Sequence, residues 1–471
     1  MKNALLAGLS FAVLQSGARA QAPERFPDFG FLPKPKDYSG KVFKLSQKYP
    51  AVAPGREQLP KFFNTDFQTD WKQYLLQVRE YCFEGNIGHS DIGDDFRLEE
   101  AFTDVTKPPR WYHMPWQHWG ATGREGIHGL TKEAPVGKFA LAATQKTEGQ
   151  TYAVAFYNAA AAATIGEVWK RFIPDAKVTA VPGGGFPEGT VIFKLLFVTN
   201  PVEEIPFLGK AENCAQWSAY VTETFIPLTV EAPRKVRKLS LVQMDIMVKD
   251  SRAPSKWIFG TYQYNAAVKE EVKWNRLVPL GIMWGNDPDN TETDPHTRAD
   301  DKAAKEDMRK LTATPINAKL KATRVTGDAE LPPTHLGWNG RLNGPVDNPM
   351  SSCMSCHQTA QYPFVSVMGP TFLRPKDTIP GQGTAAWMHW FRDLPCGETF
   401  DAGSESTDGS LQLAMSMRNF YEWFKTQQGG SVRSAYLEEQ RRSQIKKPAA
   451  VAAPNVPLEE NKAILRDERK D

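Results

Sequence analysis

Four apolar runs constrain the fold of this chain more than any other feature. They are Gly189–Val198 (GTVIFKLLFV), Lys238–Val248 (KLSLVQMDIMV), Trp257–Tyr264 (WIFGTYQY) and Leu277–Trp284 (LVPLGIMW). Each is short, rich in β-branched or aromatic residues and bounded by turn residues, the pattern of strands buried in a sheet. Helical spacing occurs in two stretches. Thr69–Cys82 sets Trp71, Tyr74, Leu75, Val78 and Tyr81 on one face, and Ala159–Phe172 does the same with Ile165, Val168 and Trp169. Strands that follow one another through Gly- and Pro-rich loops imply an antiparallel α+β or sandwich domain rather than alternating β-α units.

Composition narrows the class. The chain has 471 residues, 41% hydrophobic and 24% charged, which excludes a collagen, a long coiled coil or a wholly disordered protein. Lys and Arg number 57 against 54 acids, a net +3, too small an excess for nucleic acid or anionic lipid to be the main partner. Five cysteines are too few for a disulfide scaffold of this length.

The first 20 residues read as an export signal. Met1-Lys2 starts it, Ala4–Leu14 (ALLAGLSFAVL) is its apolar run, and Ala18-Arg19-Ala20 is a small-x-small cleavage site. The run is shorter than the roughly 20 residues that a bilayer span requires. Losing Lys2 and Arg19 lowers the net +3 to +1. The next best apolar stretch, Tyr152–Ile165, is short and interrupted by Asn158. The expectation is an exported protein, periplasmic or secreted, without a membrane span.

Residues 353–357 read Cys-Met-Ser-Cys-His. A C-x-x-C-H turn sets two thiols and an imidazole on one face, so the thiols can add across two vinyl groups of a haem while the imidazole binds its iron. Three other readings compete. A zinc site needs a second ligand pair, and no other Cys pair exists. A thioredoxin-like pair belongs in a βα context, whereas this one sits in Asn-, Gly-, Pro- and Ser-rich sequence. A local disulfide is the third. The expected cofactor is one covalent haem c per chain, held by Cys353 and Cys356 with His357 as proximal iron ligand.

Around this motif, over roughly Leu336–Gln428, the chain resembles a class I cytochrome c. That family has a Gly-Pro pair about a dozen residues after the motif, and Gly369-Pro370 stands there, Pro370 thirteen positions after His357. The resemblance implies that the Pro370 carbonyl orients His357. It also implies an axial Met some sixty positions on, where Met415 and Met417 lie. Leu411–Phe424 (LQLAMSMRNFYEWF) reads as one continuous helix, whereas the family's Met usually sits in a loop. Met388 and His389 compete for the sixth position, and an open position would bind small molecules. Trp338, Tyr362, Phe364, Phe372, Trp387, Trp390 and Phe391 could wall the macrocycle.

The middle of the chain carries fewer signals. Trp111–Gly129 (WYHMPWQHWGATGREGIHG) gathers His113, His118 and His128 with Trp111, Trp116, Trp119 and Arg124, without the spacing of a zinc signature. This stretch, with Arg237–Tyr264, Leu277–Pro288 and Leu336–Pro345, also resembles poorly characterised exported bacterial monohaem proteins; the resemblance implies a two-part architecture and brings no substrate. Cys82, Cys214 and Cys396 allow one disulfide in three pairings.

The expected organisation is a signal over 1–20, a Pro-rich arm over 21–60, a β-rich α+β domain over 61–330, a small helical class I-like cytochrome c domain over 331–437 and a polar tail over 438–471. The expected function is one-electron transfer with a redox partner protein or a small donor or acceptor. A haem-c-dependent oxidoreductase with its substrate site in the N-terminal domain, or a haem-based ligand sensor, is the alternative. Length favours the oxidoreductase, since an electron carrier needs only about a hundred residues.

Overall fold

The computed structural model describes residues 33–40, 42, 45–87, 96, 109–117, 125, 127–175, 181, 185–222, 234–293, 316–327, 336–363, 365–366, 368–373, 378–395 and 397–427. The expected signal and tail lie outside these residues, as do His118, Trp119, Arg124, Phe364 and Cys396.

The molecule is α+β. Eight strands form one antiparallel sheet: β1 Thr131–Val136, β2 Gly149–Tyr157, β3 Val191–Val198, β4 Gln216–Thr222, β5 Arg234–Lys249, β6 Trp257–Tyr264, β7 Leu277–Met283 and β8 Thr323–Val325. Their order is β1-β2-β3-β5-β6-β7-β8, with β4 also on β5. The long β5 carries β4 along Arg234–Ser240 and reaches β6 only from Gln243. All four apolar runs are strands within a few residues of the expected bounds.

Strand alternation gives the sheet two buried faces. On the first, Phe156, Phe193 and Leu195 pack with Tyr74, Leu75, Val78 and Phe83 of helix α1 (Trp71–Phe83). On the second, Ala155, Tyr157, Ile192, Met247 and Phe259 pack with Ile165, Val168 and Trp169 of α2 (Ala159–Asp175). The apolar stretch Tyr152–Ile165 is the end of β2 followed by the start of α2, and Asn158 divides it. Asn158 Nδ2 donates to the Gly189 carbonyl at 2.8 Å, and its Oδ1 accepts from the Ala161 amide at 3.1 Å, ending the strand and capping the helix. No helix among the described residues is long and apolar enough to cross a membrane.

The far end of the Pro-rich arm is packed. Leu45 is buried, Ser46 forms a bridge with Tyr112, and Tyr49 donates to the His113 carbonyl at 2.6 Å. The C-terminal part holds α3 (Cys353–His357), β9 (Gln361–Tyr362) paired with β10 (Glu405–Ser406), α4 (Ala385–Met388) and α5 (Leu411–Gln427). One apolar cluster crosses the boundary expected near residue 330. Met354, Tyr362, Leu413, Met417 and Phe420 share one apolar cluster with Met247, Phe259 and Met283 of the sheet. A further cluster holds Trp338, Trp387, Met388, Trp390 and Phe391.

Candidate functional site

Two serines shape the turn that carries the motif. Ser352 is extended (φ −140°), and its Oγ accepts from the Ser355 amide at 3.0 Å, while Ser355 Oγ accepts from the Ser352 amide at 2.7 Å. This reciprocal cap starts a five-residue helix too short to hold itself. Asn286, just beyond β7, supplies the rest. Its Oδ1 accepts from Ser352 Oγ at 3.0 Å, and its Nδ2 donates to Gln358 Oε1 at 3.3 Å and to the Arg392 carbonyl at 3.0 Å. Both ends of α3 are thereby tied to the sheet's last long strand.

Within α3 the three motif side chains are half-buried. The cysteines are not joined to each other; Cys82 and Cys214 are also free, so no disulfide exists among the described residues. Cys353 Sγ lies 3.8 Å from Thr261 Oγ1, and Cys356 Sγ donates to the Met368 carbonyl at 2.7 Å. Burial pushes the Cys356 thiol up to about 12 and raises Cys353 well above the usual thiol range. A redox-active C-x-x-C pair requires the opposite shift. Among the described residues no three His, Cys, Asp or Glu groups gather as a metal cage.

The His357 ring packs 5.1 Å from the Phe259 ring, and its Nδ1 lies 2.7 Å from the Gly409 carbonyl. A carbonyl only accepts, so Nδ1 carries the proton and Nε2 keeps its lone pair. Burial pushes His357 down to about 4, and the imidazole is neutral near pH 7. The acceptor that the class I resemblance assigns to Pro370 is therefore Gly409. The Pro370 carbonyl accepts from Leu373 at 3.2 Å, and the turn containing Pro370 meets Cys356 through Met368. Gly409 is anchored by its neighbour Asp408, which accepts from Lys249 Nζ at 2.6 Å, the Phe186 amide at 2.7 Å and Trp257 Nε1 at 3.1 Å. A small, open cleft borders His357 and is lined by Trp257, Phe259, Met354, Glu398 and Asp408.

The other expected residues divide. Met417 is fully buried in the cluster that contains Met354 and borders Cys353; Met415, two residues earlier on α5, is half-buried. Met388 belongs to the separate Trp338 cluster, and His389 packs edge-on against Phe400 with its ring centroid 4.7 Å away. Trp338, Trp387, Trp390 and Phe391 belong to that cluster as well; the Arg341 guanidinium lies 4.6 Å from the Trp338 ring and 4.9 Å from Phe391. Of the expected haem wall, Tyr362 shares the motif's cluster, stacked on Tyr421 at 5.2 Å.

The described residues of the aromatic-His stretch do not gather in one pocket. Trp111 packs on Phe193 in the first core, Trp116 on Phe420 in the second, and His128 against Trp217 of the first. Glu125 pairs with Arg234 Nε at 3.1 Å. Sequence reasoning missed Gly409, Phe259, Asn286 and Thr261, which reach the motif from 52 to 98 positions away and bear no local signature. No family model, curated protein or solved structure compared with this chain matches it.

Proposed function

We propose that this chain is an exported monohaem c-type cytochrome acting in one-electron transfer. Cys353 and Cys356 hold one haem c, and His357 is the proximal ligand. The observation that carries the reading is the 2.7 Å contact between His357 Nδ1 and the Gly409 carbonyl, on the same short helix as two unjoined thiols. It presents Nε2 as a neutral ligand and fixes the ring, as metal-binding imidazoles require. The raised, half-buried thiols speak against the competing redox C-x-x-C reading, which needs lowered thiols.

When bound, the haem supplies one-electron chemistry at its iron. The protein's part is to hold the imidazole neutral, orient it through Gly409 and exclude water with Phe259 and Met354. Met417, and Met415 behind it, are the proposed distal ligands, and the region 331–437 is a class I-like haem-binding unit built against the sheet. The cleft beside His357 favours one second reading, a haem-c oxidoreductase that admits a small substrate there.

A pyridine haemochrome spectrum of the purified, exported protein tests the assignment. The expected result is the signature of two thioether bonds, shifted to that of one bond in Cys353→Ala. A colourless protein sinks the proposal. Unchanged reduced spectra under CO support a closed sixth position; a CO complex supports the second reading.

A further inference from the structure

On the second face of the sheet, a row of polar side chains runs toward Cys353. Lys194 of β3 stands opposite Asp245 of β5, which stands opposite Thr261 of β6. Thr261 Oγ1 donates to Asp245 Oδ1 at 3.0 Å and lies 3.8 Å from Cys353 Sγ. A second carboxyl enters from the loop before α3. Gln243 Nε2 lies 2.9 and 2.8 Å from the two Asp245 oxygens and 2.7 Å from Asp347 Oδ2. The loop is held tightly there: the Val346 amide donates to Gln243 Oε1 at 3.1 Å, and the Gly344 amide to Asp347 Oδ2 at 2.9 Å. A Cβ on Gly344 would stand 1.9 Å from Gln243 Nε2, so the close approach of this loop to the Gln243 amide relies on glycine there.

Two carboxylates sharing one amide nitrogen repel, and a proton taken up by either of them relieves that repulsion. The charged groups facing the pair do not cancel it. Lys194 is the nearby cation, and it is already engaged with Glu133 of β1 at 3.1 Å. Gln243, Thr261 and Cys353 are neutral. Gln263, opposite Gln243 on β6, is fully buried, and its amide bonds to none of the described residues. Asp245 and Asp347 keep partial contact with solvent, so protons can exchange.

We propose that the Asp245–Asp347 pair is a proton-binding site coupled to the redox centre, holding one proton on one of its two carboxyls when the haem is reduced and releasing it to solvent on oxidation. This rests on the haem reading above and adds its proton chemistry. One electron arrives from a one-electron donor, one proton arrives from water at the carboxyl pair, and the local charge is unchanged. Thr261 connects the pair to the sulfur that would carry the macrocycle. Burial, and secondarily Asp347, raise Asp245 well above the usual carboxylate range, and burial also raises Asp347.

Spectroelectrochemical titration of the exported holoprotein from about pH 5 to about pH 9 tests this. The midpoint potential is expected to fall with pH by up to about 59 mV for each tenfold drop in proton activity, the limit for one proton per electron. Asp245→Asn and Asp347→Asn are each expected to flatten that slope; either one suffices if the other fails to fold. A flat wild-type profile, or a slope that survives in the folded variants, overturns the proposal while leaving the haem reading intact. A protein that carries no haem overturns both.

Discussion

The Gly409 carbonyl stands 2.7 Å from His357 Nδ1, joining a turn before α5 to the helix that carries the motif. The partners are 52 residues apart, and their alignment depends on Asp408, held by groups from β5, β6 and the loop before β3. One glycine carbonyl therefore sets the tautomer of the site's imidazole.

Gly409 has φ +78°, in the left-handed region, and a Cβ there would meet Met247 Cε at 3.3 Å and Trp257 Nε1 at 3.4 Å. The obstacle to a side chain is mainly the backbone conformation. Gly409→Ala is expected to cost about 1 kcal/mol of stability. It should also move the reduction potential, because the carbonyl leaves the imidazole. Denaturant unfolding and redox titration of the variant check both effects. An unchanged potential would remove Gly409 from the site.

Met417 separates ligation from packing. Met417→Leu nearly conserves volume and is expected to cost less than about 1.5 kcal/mol. If its thioether binds the iron, the same change lowers the reduction potential and opens the sixth position to CO. Met415→Leu is expected to leave both properties nearly unaltered. Were Met415→Leu the variant that binds CO, the two residues would exchange roles.

Ser352 caps α3 and donates to Asn286, so Ser352→Ala removes a cap and leaves Asn286 Oδ1 without that donor. The expected loss is about 1–3 kcal/mol, the sum of a capping bond and a buried polar group left unmade. Urea unfolding measures it. Yield of attached haem should fall with it, since the thiols would no longer be presented on an ordered turn.

The sheet is largely legible in the sequence because its strands are buried on both faces and read as apolar runs. The strands β1, β4 and β8 carry no such signal: TKEAPV, QWSAYVT and TRV are short or polar at alternate positions and gain their order from neighbours. The turn that carries the motif is legible, because C-x-x-C-H is a local geometry and Cys353, Cys356 and His357 share one short helix. What surrounds it is not legible. Gly409, Asn286, Asp245 and Asp347 become neighbours only through tertiary folding, and each has an ordinary local sequence. The Gly-Pro pair misleads for the same reason. Pro370 lies near the motif in the chain, but its turn meets Cys356 and leaves His357 to Gly409.

Glu125 offers a pH test of the sheet's edge. It is 2% exposed, and its Oε2 lies 3.1 Å from Arg234 Nε. Burial pushes it up to about 7, with Arg234 opposing. The native state therefore holds this proton more tightly than the unfolded chain, whose glutamates titrate near about 4.3. Stability from this group is fully present below that value and is lost as pH rises through about 7. The loss between about pH 5 and about pH 8 is at most about 3 kcal/mol, because each tenfold difference in proton affinity between the two states is worth about 1.36 kcal/mol. Glu125→Gln holds the neutral form at every pH. Wild type minus variant, taken from urea unfolding at both pH values, should decline by that amount as pH rises, whatever other groups titrate in common. A difference that stays constant, or grows toward alkaline pH, would mean that Arg234 keeps Glu125 ionised throughout.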